Sequence, residues 1–265
     1  MKEYQVRPKK LFDKYIDLAE RDAKVFFKKS KFKKTNCLAC GYKSKFLFTK
    51  INFSYCECLK CNTIYVNPRP SQNDFLKYYT DSKSSKFWAS DFYKKTLKSR
   101  KLKIWKPKSK LVTMYLNKEK NIKNIIDIGA GYGLFLDEIK KINKVNTYAI
   151  EPTKHLGDIC KQKKHNVISK FIERLKPLDI PKGKNFYTCF ELFEHLHNPK
   201  IFIKRLNQLM KKNEILFLTT LSGTGLDISV LKERSKSLQP PYHINFFNPD
   251  SIKLFMEKNK FKIIN

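Results

Sequence analysis

Nowhere in its 265 residues does the chain hold an uninterrupted apolar run approaching the ~18 residues of a membrane span. The start, Met1 to Lys10, is polar and charged, and no apolar run follows it, unlike a secretory signal. These absences lead to the expectation of a soluble, cytoplasmic protein. Acids are scarce: 24 Asp and Glu stand against 56 Lys and Arg, a formal net charge of +32. Nucleic acid or an anionic membrane surface would account for such a balance. Arginine, however, is confined to Arg7, Arg21, Arg69, Arg100, Arg174, Arg205 and Arg234. It is the residue favoured for bidentate phosphate and guanine contacts. The lysines spread along the whole chain beside abundant Asn, Ile and Phe, the pattern of AT-rich codons. No internal repeat is visible, and seven cysteines in a cytosolic chain do not suggest a disulfide framework.

Hydrophobic residues make up 41% of the chain, enough for a sizeable core. Four stretches follow one another. Residues 1–32 form a basic helical segment, with Leu11, Tyr15, Leu18, Val25 and Phe26 at roughly helical spacing. Residues 33–70 carry five of the cysteines and end on the break Asn67-Pro68-Arg69-Pro70. Residues 71–120 read as a helical linker or lid, with Ser71 as N-cap and an interruption at Pro107. Residues 121–265 alternate strand and helix. Strands are predicted at Ile125–Ile128, Asn146–Ile150, Val167–Ile168, Asn185–Phe190 and Glu214–Thr220, with a sixth beginning at Phe261–Ile264. The fold class is therefore α/β, a Rossmann-like parallel sheet covered by helices and preceded by a small ribbon module.

Cys37-Leu-Ala-Cys40 and Cys58-Leu-Lys-Cys61 are two C-x2-C knuckles separated by residues 41–57. Four thiolates on such knuckles suit tetrahedral Zn²⁺, in a closed and therefore structural site. Cys56 is a fifth candidate with poorer spacing. Cys160 and Cys189 fall in helical and strand patterns and read as core.

Asp127-Ile-Gly129-Ala-Gly131-Tyr-Gly133 follows a strand and opens a helix. Glycines there permit a tight turn and close approach of backbone to a ligand. The G-x-G-x-G spacing differs from that of dinucleotide sites. Glu151, at the end of the next strand, can accept hydrogen bonds from two ribose hydroxyls.

With Ile150-Glu151-Pro152 and Phe190-Glu-Leu-Phe-Glu-His-Leu-His-Asn-Pro199, this loop resembles the class I S-adenosylmethionine-dependent methyltransferases. The resemblance covers roughly residues 35–265. It implies that Asp127, Gly129, Gly131 and Gly133 cradle the methionine part of S-adenosylmethionine. Glu151 would hold the ribose, Ile172 would face the adenine, and Pro152 and Glu191 would be further cofactor contacts. Many relatives carry an acid where this sequence has Phe171 and Ile172. Cys58-Leu-Lys-Cys-Asn-Thr-Ile-Tyr-Val-Asn-Pro-Arg-Pro70 and Leu238-Gln-Pro-Pro-Tyr-His243-Ile-Asn-Phe-Phe247 look like a bacterial subgroup associated with sugar and surface-glycan modification. A sugar-linked small-molecule acceptor, in carbohydrate biosynthesis, follows from that likeness. The family's sheet normally carries sixth and seventh strands, and the chain stops near the end of the sixth.

Methyl transfer to a hydroxyl needs alignment and a base. Histidine is the default base near neutral pH. His243 is the favoured base, with His195 and Glu194 as the other catalytic candidates; His197 lies close by. Glu191, Glu194 and His195 form E-x-x-E-H, a string shared with ubiquinone-type O-methyltransferases, where it can bind a divalent cation such as Mg²⁺. His155 and His165, in a Lys-rich stretch, read as surface residues. Tyr65, Tyr78, Tyr79, Phe87 and Trp88 are either core or an acceptor pocket. Two alternatives compete with a small-molecule enzyme: an rRNA methyltransferase, favoured by the charge, and a non-catalytic zinc-ribbon interaction protein.

Overall fold

The computed structural model describes residues 2–264, which divide into two compact units. The first comprises residues up to Val6, Leu97–Leu192 and Ile201–Thr219; the second comprises Arg7–Thr96, Phe193–Lys200 and the residues from Thr220 onward.

The second unit begins with α1 (Lys9–Phe26), which buries Phe12, Tyr15, Ala19, Asp22 and Ala23. Val25, predicted on the apolar face, is exposed instead. The buried stripe is set by the other positions, one turn apart. Strands β1 (Ser44–Lys50), β2 (Phe53–Cys58) and β3 (Ile64–Val66) form an antiparallel ribbon. Helix α2 (Gln72–Asp81) starts where Ser71 predicts: its Oγ accepts from Asp74 N at 3.2 Å. Tyr55 and Tyr78 are fully buried in the aromatic core of this unit, and Tyr65 in β3 is also fully buried. Tyr78 and Tyr65 are thus core rather than pocket wall.

Helices α3 (Lys83–Phe87), α4 (Tyr93–Arg100) and α5 (Lys106–Leu116) succeed one another through π turns at Trp88–Phe92 and Lys101–Trp105. Pro107 sits in the first turn of α5 rather than breaking a helix. A ring there costs little because the first-turn N–H groups lack intrahelical partners anyway.

The first unit is built on β4 (Ile122–Ile128), α6 (Leu134–Ile142), β5 (Asn146–Ile150), α7 (Lys154–Gln162), β6 (Asn166–Ile168), β7 (Lys184–Phe190), α8 (Pro199–Leu209) from Ile201 onward, and β8 (Ile215–Thr219). The five strands are parallel, in the order β6-β5-β4-β7-β8. Strand order reverses at β4, and an open parallel sheet binds ligands at the carboxyl ends of such a switch point. Ile125, Phe135, Ile139, Ala149, Cys160 and Phe186 are among the buried residues of its core. Cys189 is fully buried too.

After α9 (Leu226–Leu231), strand β9 (Asn245–Phe246) pairs antiparallel with β3, completing a four-stranded sheet of order β1-β2-β3-β9. Helix α10 (Pro249–Lys258) follows, capped by Asn248. The sixth strand predicted at Phe261–Ile264 is not formed; those residues are irregular and make no strand pairing. An apolar run without a neighbouring ladder gains no backbone hydrogen bonds from extending.

Candidate active site

Between β4 and α6 the chain turns through three left-handed glycines, Gly129 (φ +75°), Gly131 (+54°) and Gly133 (+66°). Their surroundings differ. A Cβ at Gly129 would lie 3.2 Å from the Leu192 side chain, and one at Gly133 3.0 Å from Cys160 Sγ and 3.3 Å from His165. A Cβ at Gly131 would meet nothing within 4 Å. The middle glycine therefore faces open space, and the outer two are packed against the unit.

Glu151 closes the loop from the tip of β5. It is 5% exposed; Oε2 accepts from Gly131 N and Oε1 from Thr153 N, each at 2.9 Å. Burial raises its carboxyl above the usual range, against the pull of those N–H donors. A carboxylate has about four acceptor positions, more than the Gly131 and Thr153 donors fill. Asp127, 4% exposed in β4, accepts from Thr188 Oγ1 in β7 at 2.7 Å. Burial pushes its carboxyl up to about 7, although Thr188 and the Lys108 charge pull the other way. Pro152 is half-buried beside Glu151. Ile172 opens a 3₁₀ turn and is buried, whereas its neighbour Phe171 is 42% exposed.

Lys108, in α5, donates to Glu191 Oε1 and to Thr219 Oγ1, both at 3.0 Å, with its ammonium 4.6 Å from the Phe190 ring centroid. Thr219 Oγ1 in turn donates to Glu191 Oε1. These contacts hold Glu191, itself at φ +50°, at the end of β7. Sequence reading missed Lys108, one lysine among many; only its position between Trp105 and the strand ends sets it apart. It also misplaced His165. That ring is buried, with Nδ1 2.8 Å from Thr147 Oγ1 and Nε2 3.0 Å from Asp137 Oδ1. Lys163 joins Asp137 and donates to Tyr132 O at 2.7 Å, so the α7–β6 corner props the glycine loop.

In the second unit a ligand atom from each of Glu194, His195 and His243 lies within 4.8 Å of the others. Glu194 is 1% exposed and accepts from Thr220 Oγ1 at 2.7 Å. His195 Nδ1 lies 2.9 Å from Tyr242 O, and His243 Nδ1 lies 2.6 Å from Ser237 O. A carbonyl only accepts, so both Nδ1 atoms carry the proton and each Nε2 presents a lone pair. Burial, with the His195 ring alongside, pushes His243 down to about 3. Tyr79 Oη lies 3.1 Å from His195 Nδ1 and donates to Tyr242 O. His197 is taken up locally: its Nε2 lies 2.9 Å from Pro70 O, and its carbonyl accepts from Arg69.

A family model described as a methyltransferase domain matches residues 95–265. The chain belongs to this methyltransferase family. Similar curated proteins are two ubiquinone biosynthesis O-methyltransferases. That of Pelagibacter ubique (strain HTCC1062) is 31% identical over 108 residues, 40% of this chain and 44% of the relative. The mitochondrial one of Dictyostelium discoideum is 24% identical over 117 residues, 39% of this chain and 36% of the relative. The chain thus spans less than half the length of each. Among solved structures, the plantazolicin methyltransferase BpumL in complex with SAH aligns with a TM-score of 0.53 at 14% identity, over 70% of this chain and 74% of that one. That likeness is one of fold. The parallel sheet and its glycine loop are a class I S-adenosylmethionine-dependent methyltransferase domain.

The methyltransferase chain also brings Cys37, Cys40, Cys58 and Cys61 together, all four sulfurs within 4.8 Å of one another. Cys37 and Cys61 sulfurs are 3.5 Å apart, Cys40 and Cys58 3.3 Å. Sulfurs ~2.3 Å from a tetrahedral ion would be separated by slightly more, so the cluster fits a divalent metal. Tyr42 N and Lys60 N donate to Cys40 and Cys58 sulfurs, the usual support of a knuckle thiolate. Cys56 is not in the cluster; its thiol donates to Asn67 O. From the C-terminal stretch, Asn248 donates to Cys61 O and Lys258 to Cys40 O.

Proposed function

We propose that this protein transfers a methyl group from S-adenosylmethionine to a hydroxyl of a sugar-linked small molecule. The observation that carries it is the open middle glycine beside a buried glutamate whose oxygens already accept from the loop. A bound cofactor would supply an electrophilic sulfonium methyl. Gly129, Gly131 and Gly133 would let the backbone pass close to its amino-acid part, and Glu151 would accept from its ribose. Lys108, which pairs with Glu191 at the strand ends, would meet the carboxylate of the cofactor's amino-acid part. The hydroxyl acceptor is supported by the two O-methyltransferase relatives. The sugar link rests on the segments Cys58–Pro70 and Leu238–Phe247.

Of the two histidines, His195 is the better base. Desolvation keeps His243 neutral, and a ring that resists a proton is a poor place to put one. His195 can take the acceptor's proton while buried Glu194 offsets the new charge and Tyr242 O keeps the ring oriented. His243 would then receive a hydrogen bond from the acceptor. The prediction is that His195→Ala lowers kcat by roughly 10²–10⁴-fold with S-adenosylmethionine affinity retained, whereas His243→Ala chiefly raises the acceptor KM. Equal kcat losses in both, read by methyl transfer to a nucleotide-sugar panel, would contradict this division.

The four cysteines would hold a structural Zn²⁺, with no open position for chemistry. A Mg²⁺ site fits less well: Mg²⁺ prefers oxygens, and the acid–histidine cluster offers two nitrogens and one carboxylate, with Glu191 engaged by Lys108. The +32 charge favours a second reading, an RNA acceptor. Retention of RNA that survives salt above about 200 mM would support it; loss of binding between about 50 and 200 mM marks simple charge attraction.

A further inference from the structure

A cavity of about 200 Å³ opens in the second unit, and neither a cysteine nor a histidine lines it. Its apolar wall is Ile16 and Ala19 of α1, Ile51 from the β1–β2 turn, and Pro240. Lys50, Arg234 and Lys236 also line it. Lys50 is half-buried and donates to Ser235 O at 2.7 Å. Lys236 pairs with Asp13, and Glu233 lies close enough to Lys50 to act on its charge. Three cations therefore face two carboxylates.

Gln239 completes the lining. It is 6% exposed, and its Nε2 has no hydrogen-bond partner. A buried amide donor without an acceptor is costly and uncommon; the nitrogen lies just beneath the cavity wall, and a turn of the side chain would bring it to a ligand oxygen. The turn residue Ile51 stands at φ +47°, followed by Asn52 at +62°. Two-residue hairpin turns with two positive φ angles favour Asn-Gly or Gly, and a β-branched residue there is strained. The sequence keeps an isoleucine nonetheless, and its side chain supplies apolar wall to the cavity.

We propose that this cavity is a binding site for a small amphipathic anion, one carboxylate or phosphate head on a short apolar body. The head would take the Gln239 amide and the Lys and Arg charges, and the body would lie on Ile16, Ile51 and Pro240. The space equals that of roughly six or seven waters at about 30 Å³ each, which limits the body to a short aliphatic chain or a single ring. The site has a ligand of its own, because none of its side chains belongs to the cofactor loop or the acid–histidine cluster; its one link to that cluster is through backbone, Gln239 O accepting from His243 N at 2.9 Å.

The test is a titration of the intact chain with hexanoate, hexyl phosphate and hexanol, followed by amide NMR shifts and calorimetry. Saturable binding of hexanoate or hexyl phosphate is expected, with shifts at the Gln239 side-chain amide and at Ile51. Hexanol should bind at least about tenfold more weakly. The tighter of the two acids identifies the head group. Arg234→Ala with Lys236→Ala changes only exposed side chains and should weaken acid binding about tenfold with the thermal midpoint kept; Gln239→Leu should do likewise. Hexanol binding as tightly as the acids, no saturable binding of either acid, or unchanged acid affinity in both variants would overturn the proposal.

Discussion

Gly131 and Gly133 share a left-handed backbone but not their surroundings, and substitutions should separate accordingly. At Gly131 a side chain enters open space, so Gly131→Arg should fold, with the thermal midpoint lowered only by a left-handed penalty of ~1–2 kcal/mol, and should lose cofactor affinity. At Gly133 even Gly133→Ala meets Cys160 and His165, and overpacking adds ~1–3 kcal/mol. Thermal melts with cofactor titration of both variants check this; a Gly131→Arg protein that binds normally would contradict the loop assignment. Asp127 carries a pH prediction. Its folded-state carboxyl stands near 7, against an ordinary value of 3.8, chiefly because of burial. The folded chain thus holds the proton more tightly than the unfolded one. Stability from this residue is full below pH ~4 and is lost as pH rises through 7. Asp127→Asn should flatten that loss, which amounts to about 2–4 kcal/mol, in unfolding curves at pH 5 and pH 8. A wild-type chain equally stable at both, with the variant showing no difference, would refute the assignment.

At the scale of elements, the parallel strands were legible because β4, β5 and β7 are short apolar runs bounded by turn residues, and the helix expected after the glycine loop is α6. Ser71 declared α2 through its own hydroxyl. The ribbon's fourth strand was not legible: Asn245–Phe246 has only two residues and pairs with a segment far away in the chain, a contact no local pattern encodes. His165 escaped for a similar reason, since its partners Thr147 and Asp137 come from other elements. The cysteine knuckles need only spacing, and they were visible. They predict that the purified chain carries one Zn²⁺, lost in Cys40→Ser and kept in Cys56→Ser. Metal analysis with thermal melts tests both. Zn²⁺ retained in Cys40→Ser, or lost in Cys56→Ser, would contradict the ligand set.

At the scale of the whole molecule, the site residues named from sequence fall into both units. Asp127, the three glycines, Glu151 and Glu191 belong to the sheet unit; Glu194, His195, His243 and the four cysteines belong to the ribbon unit. Leu192/Phe193 is one of the points at which the chain passes from one unit to the other. Family membership explains the sheet unit, and it leaves the acceptor to be found by chemistry. The decisive measurement is calorimetric titration of the intact chain with S-adenosylmethionine and, separately, with NAD. Stoichiometric binding of S-adenosylmethionine, abolished or greatly weakened by Glu151→Ala, with no binding of NAD, is the predicted result. Binding of NAD instead, or S-adenosylmethionine affinity indifferent to Glu151→Ala, would contradict the account.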